Sequence, residues 1–489
     1  MYLTKILLVN PPFDIIDGLG AARIFIQKYE PLGLLYIAAS TREAGYDVGI
    51  IDAFTDDMTM DLVKKELITQ SPDIIGITTL TGSGAGVYEL GGWIKTHMPH
   101  TLVVLGNIHA SIFARQYLAN NCCDVVVHGE GDEVFPWIVR CHASGDSLSE
   151  IPGISYKNQD GIIHQSNYFN TVENLSVLPF PARDILKTRQ YGLNPISNQL
   201  YVASSGSKVK TMLTSRGCPN RCSFCAVHHN NKPRFNDPVK VVDEMEHLVK
   251  TYHTEYIYIV DSLFIADKAR LIHICKEITR RNLSVRWGAQ AHVNYLSADI
   301  LGPMEKAGCH DLAIGIESGV QRILDRVEKN IDLKKVVSVI NMVKKNSRIK
   351  LEGLFILGLP GETYDEALQT ISFAKKQPLD MAQFSIFTPY PGSPFYDELR
   401  DKNEIDTGIR ANDRVDPSVW HRYFAYPAFN EIEPIWTNPG MTTQRLIKLQ
   451  KRAQREFYLR LSIMIRNIKR IRINNIAILF RIIKQGMFT

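Results

Sequence analysis

Cys218-Pro219-Asn220-Arg221-Cys222-Ser223-Phe224-Cys225 places three cysteines on one short loop, in the spacing Cys-x3-Cys-x2-Cys. A cubic iron–sulfur cluster is held by cysteine thiolates on its irons. Three local thiolates leave one of the four irons open to a small molecule. The loop follows an apolar run and precedes a helical pattern, so we expect it at the end of a buried strand.

A structural zinc site is the alternative for this loop. Three cysteines together with His228 or His229 would form a Cys3His ligand set, which zinc accepts. Zinc ligands usually come as two separated pairs, and the chain has no second Cys-x2-Cys pair. The spacing therefore favours an iron–sulfur cluster over zinc.

With an aromatic residue before its last cysteine, the loop resembles the signature of radical S-adenosylmethionine enzymes. In that family the open iron chelates the amine and carboxylate of S-adenosylmethionine, and one electron then releases a 5′-deoxyadenosyl radical. The resemblance implies a [4Fe–4S] cluster on Cys218, Cys222 and Cys225, with Phe224 beside the S-adenosylmethionine. It also implies an external electron donor such as flavodoxin or ferredoxin.

The first 145 residues alternate short apolar runs with helical patterns. Continuous apolar strands separated by helices predict a parallel sheet that is covered on both faces. Ligands of such a sheet bind outside the carboxyl ends of its strands, so the loops there form the candidate ligand face. The apolar runs are residues 6–9, 48–51, 74–78, 102–105 and 125–127.

These loops resemble the cobalamin-binding domain that precedes many radical S-adenosylmethionine barrels. Glycines let the backbone approach a bulky cofactor, and helix N-termini suit its phosphate. The motif that places a histidine on cobalt in other cobalamin proteins, Asp-x-His-x-x-Gly, is absent. We therefore expect no histidine ligand below the cobalt. The resemblance implies contacts from Asn10, Thr79, Thr81, Ser83, Gly106, Asn107, His109, Gly129 and Glu130.

A second alternation of strands and helices begins at residue 208. Six β/α units of this size predict a partial (β/α)6 barrel of the TIM type, whose active residues lie at the carboxyl ends of its strands. The cysteine loop follows the first strand, as such a site requires. The candidate strands are residues 209–213, 256–260, 285–289, 312–316, 351–357 and 382–387.

The predicted fold class is therefore α/β, with a Rossmann-like domain, a barrel and a helical tail. Prolines between residues 146 and 205 predict a connector, because proline bars helix and central strand. The predicted regions are 1–145 for cobalamin, 146–205 for the connector, 206–399 for the radical barrel and 400–489 for a mostly helical basic region.

Polar residues after three barrel strands are candidates for binding S-adenosylmethionine. Glu317 and Ser318 lie in Gly315-Ile316-Glu317-Ser318-Gly319, which is similar to a family segment near this cofactor. A carboxylate and a hydroxyl can accept hydrogen bonds from its amine or ribose. Asp261 and Gln290 are candidates of the same kind. The alternatives are a helix cap at Ser318 and ordinary polar loop groups at the other positions.

Composition excludes several classes of protein. Hydrophobic and charged contents of 45% and 22% are ordinary for a globular chain. The first apolar run is too short for a signal peptide, and no stretch of 18 apolar residues predicts a membrane span. Eight cysteines form no disulfide framework, and an iron–sulfur cluster with free thiols indicates a reducing, cytoplasmic setting.

The C-terminal region is strongly basic. Residues 441–489 contain twelve Lys or Arg and one acid, Glu456, so they carry +11 while the rest of the chain carries −6. Apolar residues alternate with the basic ones at helical spacing. Such a helix can contact an anionic membrane surface, or it can close the barrel with a solvated basic face. Too few aromatic residues accompany it for RNA stacking, so we expect no nucleic-acid partner.

The resemblance spans about 400 of the 489 residues and implies a cobalamin-dependent radical S-adenosylmethionine enzyme. It favours a C-methyltransferase that acts on an unactivated carbon of a lipid or natural-product-type small molecule. One alternative is an oxidative cyclase or rearrangement enzyme with the same cofactors and no methyl transfer. The other is a non-catalytic cobalamin- or metal-binding module.

Overall fold

The computed structural model describes residues 4–13, 28–158, 160–187, 191, 208–229, 232–427 and 432–468. These residues fall into two compact units. The first contains the described parts of 4–191 together with 390–423, and the second contains the described parts of 208–389 and 424–468. Both units are α/β, as predicted.

The first unit is built on a seven-stranded sheet in the order β2-β1-β3-β4-β5-β6-β7. The first five strands pair in parallel, whereas β6 and β7 extend the edge as an antiparallel pair. The strands are β1 Ile6–Asn10, β2 Val48–Asp52, β3 Ile74–Thr78, β4 Leu102–Gly106, β5 Val125–Val127, β6 Ile154–Lys157 and β7 Ile163–His164.

Helices connect the parallel strands and cover the sheet. The central strands β1, β3 and β5 are buried almost throughout, because helices exclude water from both faces. This arrangement places the loops after β1, β3 and β4 at one edge of the sheet. The helices are α1 Leu32–Glu43, α2 Met60–Gln70, α3 Gly84–His97, α4 Ile108–Ile112, α5 Ala114–Ala119 and α6 Val134–Ser144.

Residues 390–423 belong to the first unit, although they follow the barrel in sequence. Trp420, on a short 3₁₀ helix Pro417–Arg422, is fully buried. Its ring centroid lies 4.4 Å from that of His109, 5.1 Å from that of Phe113 and 5.9 Å from that of Tyr117. The predicted boundaries put this segment partly in the barrel and partly in the tail, because aromatic packing over such a distance leaves no local pattern.

The second unit is a sheet of six parallel strands in the order β15-β14-β13-β12-β11-β8. This order confirms the predicted partial barrel. A two-residue antiparallel pair, β9 Ser215–Arg216 and β10 Arg234–Phe235, follows the first strand. The barrel strands are β8 Val209–Met212, β11 Tyr256–Ile259, β12 Arg286–Ala291, β13 Cys309–Glu317, β14 Lys350–Leu357 and β15 Met381–Ile386.

Helices pack on the outside of this barrel. Capping fixes where several of them begin: Asp332 accepts two backbone N–H groups, and Thr363 forms a capping box with Glu366. The helices in chain order are α7 Pro238–Tyr252, α8 Lys268–Arg280, α9 Ala298–Lys306, α10 Gln321–Arg326, α11 Leu333–Asn346, α12 Tyr364–Lys376, α13 Pro394–Asp401 of the first unit, α14 Thr443–Tyr458 and α15 Leu461–Ile468.

The start of the basic region closes one edge of the barrel. In α14, Leu446, Leu449, Ala453 and Phe457 are buried at helical spacing, and the Gln450 side chain donates to the Phe384 carbonyl oxygen at 2.9 Å. Residues 469–489, the last part of the basic segment predicted to contact a membrane, lie outside the described residues. Among those described, no helix is long and apolar enough to cross a membrane.

Two neighbouring glycines of α3 give a matched test of the packing in the first unit. A Cβ at Gly91 would lie 2.0 Å from the Cys122 carbonyl oxygen, whereas a Cβ at Gly92 meets nothing within 4 Å. Gly91→Ala should lower the free energy of unfolding by about 1–3 kcal/mol through overpacking. Gly92→Ala should raise it by up to about 1 kcal/mol through helix propensity. Equal thermal midpoints for the two variants would contradict this packing.

Candidate functional site

The cysteine loop lies between β9 and β10, just beyond the carboxyl end of β8. Cys222 is buried, Cys218 and Cys225 are half-buried, and none forms a disulfide. The Cys225 N–H donates to the Cys222 carbonyl oxygen at 3.0 Å, which tightens the turn. Burial raises the pKa of Cys222 to about 11, an effect that Lys329 partly opposes. Three soft thiol donors on one turn fit an iron–sulfur cluster, whose binding displaces their protons. His228 and His229, the zinc alternative, lie outside the residues whose side chains are described.

A buried ion pair stands next to this loop. Lys329 Nζ lies 2.6 Å from Glu317 Oε1, and each side chain is only 9% exposed. Lys329 Nζ also lies 5.9 Å from the centre of the Phe224 ring. Burial lowers the pKa of Lys329, but attraction by Glu317 and by Cys222 outweighs it, so the pKa is raised overall. A permanent cation therefore stands beside the thiols.

The backbone around Glu317 is shaped to hold this pair. Glu317 ends β13 with φ +66°, a conformation that costs energy outside glycine. A Cβ at Gly315 would lie 2.5 Å from Glu317 Oε1 and 2.7 Å from Lys329 Nζ, so the glycine leaves room for the pair in this position. The Ser223 N–H donates to the Val327 carbonyl oxygen at 3.0 Å, which ties the cysteine loop to the segment that carries Lys329.

Lys329 was not among the residues predicted from the sequence. It lies twelve residues after Glu317, and no local pattern distinguishes it from other lysines of helix–loop segments. The Gly315-Ile316-Glu317 sequence offered the one available signal, since a glycine next to a strand-end carboxylate leaves room for a partner.

The other candidates for S-adenosylmethionine contacts are already engaged with protein groups. Ser318 is fully buried, and its Oγ lies 3.1 Å from Thr370 Oγ1. Its Oγ also accepts from the Val320 N–H at 3.2 Å, which resembles the cap alternative. Asp261 accepts from Thr214 and Ser215 at 2.6 Å each and so fixes the strand that enters the cysteine loop. Contacts of Ser318 and Asp261 with S-adenosylmethionine stay predictions.

The remaining candidate, Gln290, faces the inside of the barrel. Residues of β14 alternate between half-buried and buried. The buried ones, Leu351, Phe355 and Leu357, pack in the core beneath the outer helices. The half-buried residues Lys350, Glu352, Leu354 and Ile356 lie on the opposite face of the strand and therefore face inward. Gln290, Ala313 and Glu352 are neighbours across three strands, so they form one row on this inner face.

Glu352 is strongly perturbed by this inner face. Burial, followed by repulsion from Asp311, raises the pKa of Glu352 to about 7. Tyr258 lies beside it, and burial together with Glu352 raises the pKa of that phenol too. Asp311, by contrast, accepts from the Tyr256 hydroxyl at 2.9 Å. Glu352 has no comparable partner among the described residues.

In the first unit, several predicted contacts lie together at the carboxyl ends of the strands. The Asn10 amide donates to Asp52 at 2.7 Å, and the Tyr191 hydroxyl donates to the same carboxylate at 2.6 Å. Thr79 is fully buried, and its hydroxyl has no hydrogen-bond partner among the described residues. A Cβ at Gly106 would meet nothing within 4 Å, so open space adjoins this strand end. The open space at the end of β4 leaves room for a bound cofactor.

Asn107 has a backbone conformation that favours glycine. Its φ of +80° with ψ of 172° lies in a region that glycine alone adopts easily. Two side-chain bonds hold it there: its oxygen accepts from the Ile108 N–H at 2.8 Å, and its amide donates to Thr78 at 3.1 Å. The glycine-like backbone is therefore kept, with an asparagine.

His109 lies inside the unit rather than on its surface. It is fully buried, and neither ring nitrogen has a partner among the described residues. Burial lowers the pKa of His109 to about 3, so the ring is neutral at ordinary pH. A Cβ at Gly84 would come within 2.5 Å of its Nε2, which places the ring against the start of α3. The imidazole packs as a core side chain beside Trp420.

The last predicted cobalamin residues join the loop after β5 to the connector. Gly129 has φ +82°, and a Cβ there would lie 2.3 Å from the Asn170 carbonyl oxygen. The Glu130 carboxylate accepts from the Val172 N–H at 2.8 Å.

Thr81 and Ser83 form the short turn that leads into α3, and the Ser83 hydroxyl donates to the Leu80 carbonyl oxygen at 3.2 Å.

Two family models match the chain. The B12 binding domain matches residues 25–139, and the radical S-adenosylmethionine superfamily matches residues 212–374. An uncharacterized methyltransferase of Pyrococcus horikoshii is 31% identical over 96% of this chain and 95% of its own length. The chain belongs to the cobalamin-binding radical S-adenosylmethionine enzymes.

Other members of the family extend this comparison. The anaerobic magnesium-protoporphyrin IX monomethyl ester cyclase of Rubrivivax gelatinosus is 28% identical over 93% of this chain and 77% of its own length. The structure of a radical S-adenosylmethionine methyltransferase, TsrM, from Kitasatospora setae, with cobalamin and a [4Fe–4S] cluster bound, shares the fold. Its TM-score is 0.66 at 17% identity, and 91% of each chain is covered.

As a radical S-adenosylmethionine enzyme with a B12 domain, the chain uses a [4Fe–4S] cluster, S-adenosylmethionine and cobalamin. These three cofactors and the fold class are confirmed as predicted. Family membership also makes the protein an enzyme, which removes the non-catalytic alternative. The individual residues that contact each cofactor remain our proposals.

The cysteine loop generates the first test of the site. Anaerobic reconstitution of the full chain should give about four irons with sulfide, as a cysteine-held cubane requires. Cys222→Ala should abolish the iron because it removes one of three thiolates. Cys275→Ala is the matched control, since that thiol is buried on the outer helix α8. One zinc per chain without sulfide would contradict the cluster.

The ion pair generates a second test. Lys329→Met should lower the free energy of unfolding by about 3–5 kcal/mol, because Glu317 is left as an unpaired buried charge. The double variant with Glu317→Gln should recover part of this loss, and thermal midpoints of the four proteins would measure the coupling. Lys402→Met is the control, since its partner Glu398 is a surface residue. Additive effects would show that the pair carries no interaction.

Glu352 generates a pH-dependent test. Its pKa of about 7 in the folded chain lies above the ordinary carboxyl value of 4.5. The folded state therefore holds this proton more tightly, so the contribution of Glu352 to stability falls as pH rises through this window. At about 1.4 kcal/mol per pH unit, the loss approaches roughly 3 kcal/mol above pH 7. The thermal midpoint of Glu352→Gln should exceed that of the wild type at pH 8 and match it more closely at pH 5. Glu305→Gln, on the outer helix α9, should show no such change.

Proposed function

We propose that the protein is a C-methyltransferase that acts on an unactivated carbon of a lipid or natural-product-type small molecule. One observation carries the proposal: a single chain combines a B12 binding domain with a cysteine loop that follows the first strand of a radical barrel. The relative that is 31% identical over nearly the whole chain is itself a methyltransferase by name.

The bound cofactors supply hydrogen abstraction and methyl donation, and the protein binds, orients and shields them. We assign Cys218, Cys222 and Cys225 to the cluster. Glu317, held in place by Lys329, would accept hydrogen bonds from the amine or ribose of S-adenosylmethionine, with Phe224 and Gln290 nearby. The Lys329 cation beside the thiols would stabilise the negative charge of the cluster.

In the B12 domain, the proposed contacts are the strand-end residues. Asn10, Thr79, Gly106 and Asn107 lie at the ends of β1, β3 and β4. His109 is packed beside Trp420 with its ring buried. This burial supports the expectation that His109 does not bind cobalt from below.

Oxidative cyclisation is the second candidate function, because a cyclase is 28% identical over 93% of this chain. The same cofactors would then act without methyl transfer. In either case we propose a cytoplasmic location, a small-molecule or lipid substrate and an external reductant such as flavodoxin or ferredoxin. Contact of the basic C-terminal region with a membrane also stays a proposal.

Product analysis separates the two candidates. A methyltransferase of this type consumes two S-adenosylmethionines per product, so S-adenosylhomocysteine and 5′-deoxyadenosine should form in equal amounts with substrate. Cys222→Ala should stop 5′-deoxyadenosine formation, because the cluster supplies the electron. Cys275→Ala should not. Turnover that gives 5′-deoxyadenosine without S-adenosylhomocysteine or a methylated product would refute the methyltransferase and favour the cyclase.

A further inference from the structure

The inner face of the barrel carries one carboxyl group that the fold does not use. Glu352 faces inward on β14 and forms no hydrogen bond or ion pair with any described residue. Its neighbour Asp311 is satisfied by the Tyr256 hydroxyl at 2.9 Å and by His310 Nδ1 at 2.8 Å. Of these two acids, Glu352 alone accepts no hydrogen bond from a described residue.

This arrangement is costly for the folded protein alone. A carboxylate loses hydration on a half-buried surface, and the second acid nearby adds repulsion. A glutamine or methionine of similar size would avoid both costs. Positions that break such a rule without compensation within the fold are typically functional, because a ligand supplies what the protein lacks.

Glu352 has apolar neighbours along its own strand and polar neighbours on other strands. Towards the carboxyl end of β14, the inward residues Leu354 and Ile356 are apolar. On the other side, the polar neighbours Tyr258 and Gln290 belong to β11 and β12. Glu352 lies five residues before Leu357, the end of its strand, which corresponds to roughly 16 Å along the strand. The inner face is therefore polar around Glu352, Tyr258 and Gln290. It is apolar at Leu354 and Ile356, which lie towards the end of the barrel that carries the cysteine loop.

We propose that Glu352 accepts a hydrogen bond from a hydroxyl or protonated amine at the end of the substrate remote from the reacting carbon. Leu354 and Ile356 contact the apolar part between them. This inference deepens the proposed function, since it takes the inner face of the barrel as the substrate cavity. It defines the substrate as an elongated amphipathic molecule with a donor at one end.

The same groups select against other molecules. With Glu352 ionised, as at pH 8, a substrate that carries a carboxylate or phosphate at this end would be repelled by it. An ether or ester oxygen cannot donate a hydrogen bond and would leave the ionised Glu352 unpaired. Donor groups are therefore favoured both by attraction and by exclusion of the alternatives.

The test uses three probes of equal size with the reconstituted full chain: n-hexylammonium, n-hexanol and methyl pentyl ether. Dissociation constants are measured by ligand-observed NMR at pH 8, without turnover. Both donors should bind the wild type at least tenfold more tightly than the ether does. Glu352→Met should abolish this preference. Glu352→Gln should retain part of it for hexanol, because an amide oxygen still accepts, and should lose it for hexylammonium.

Glu305→Met is the matched control, because it removes a glutamate from the outer helix α9 and should leave every preference unchanged. Equal affinities of the three probes in the wild type would overturn the proposal, as would a donor preference that survives Glu352→Met. Because no product is formed, this result is independent of whether the enzyme transfers a methyl group. Failure of the methyltransferase assay would therefore leave the donor preference measurable.

Discussion

The Lys329–Glu317 ion pair is the interaction that joins the two parts of the radical site. It is buried at the end of β13, at 2.6 Å, beside the ring of Phe224. Two buried charges are tolerated only when they are paired, because the desolvation free energy of an unpaired buried charge is not offset by any attraction. Gly315 leaves room for the pair, and the backbone at Glu317 has a positive φ. The position of the cysteine loop relative to the barrel is thus fixed by a constraint that allows little variation.

The two units use parallel strands in the same way but satisfy their polar groups differently. In the radical barrel, the Asp261 carboxylate accepts hydrogen bonds from Thr214 and Ser215 and so stabilises the fold itself. In the B12 domain, the Thr79 hydroxyl is buried with no protein partner among the described residues. In the barrel, Glu352 likewise lacks one. A buried polar group without a partner needs an explanation, and at Thr79 and Glu352 we propose that a bound molecule supplies it.

Much of the fold followed from sequence pattern. The alternation of apolar runs and helical patterns predicted a Rossmann-like domain and a six-stranded barrel, because burial on both faces of a parallel sheet demands such runs. The three cysteines were predictable because their spacing is local. The sequence did not predict that residues 390–423 belong to the first unit. Their packing depends on Trp420, which contacts His109 more than three hundred positions away in sequence. No periodic signal marks such a contact.

The sequence by itself determined the cofactors of this protein and the order of its domains, since both rest on short motifs and local periodicity. The tertiary structure alone decided which polar groups form hydrogen bonds or ion pairs within the protein. It engaged Asp261 and Ser318 with protein partners, paired Glu317 with the unsuspected Lys329, and left Glu352 unpaired. The physical reason is that the free energy of a polar side chain depends on its partners and its desolvation, and neighbours distant in sequence set both.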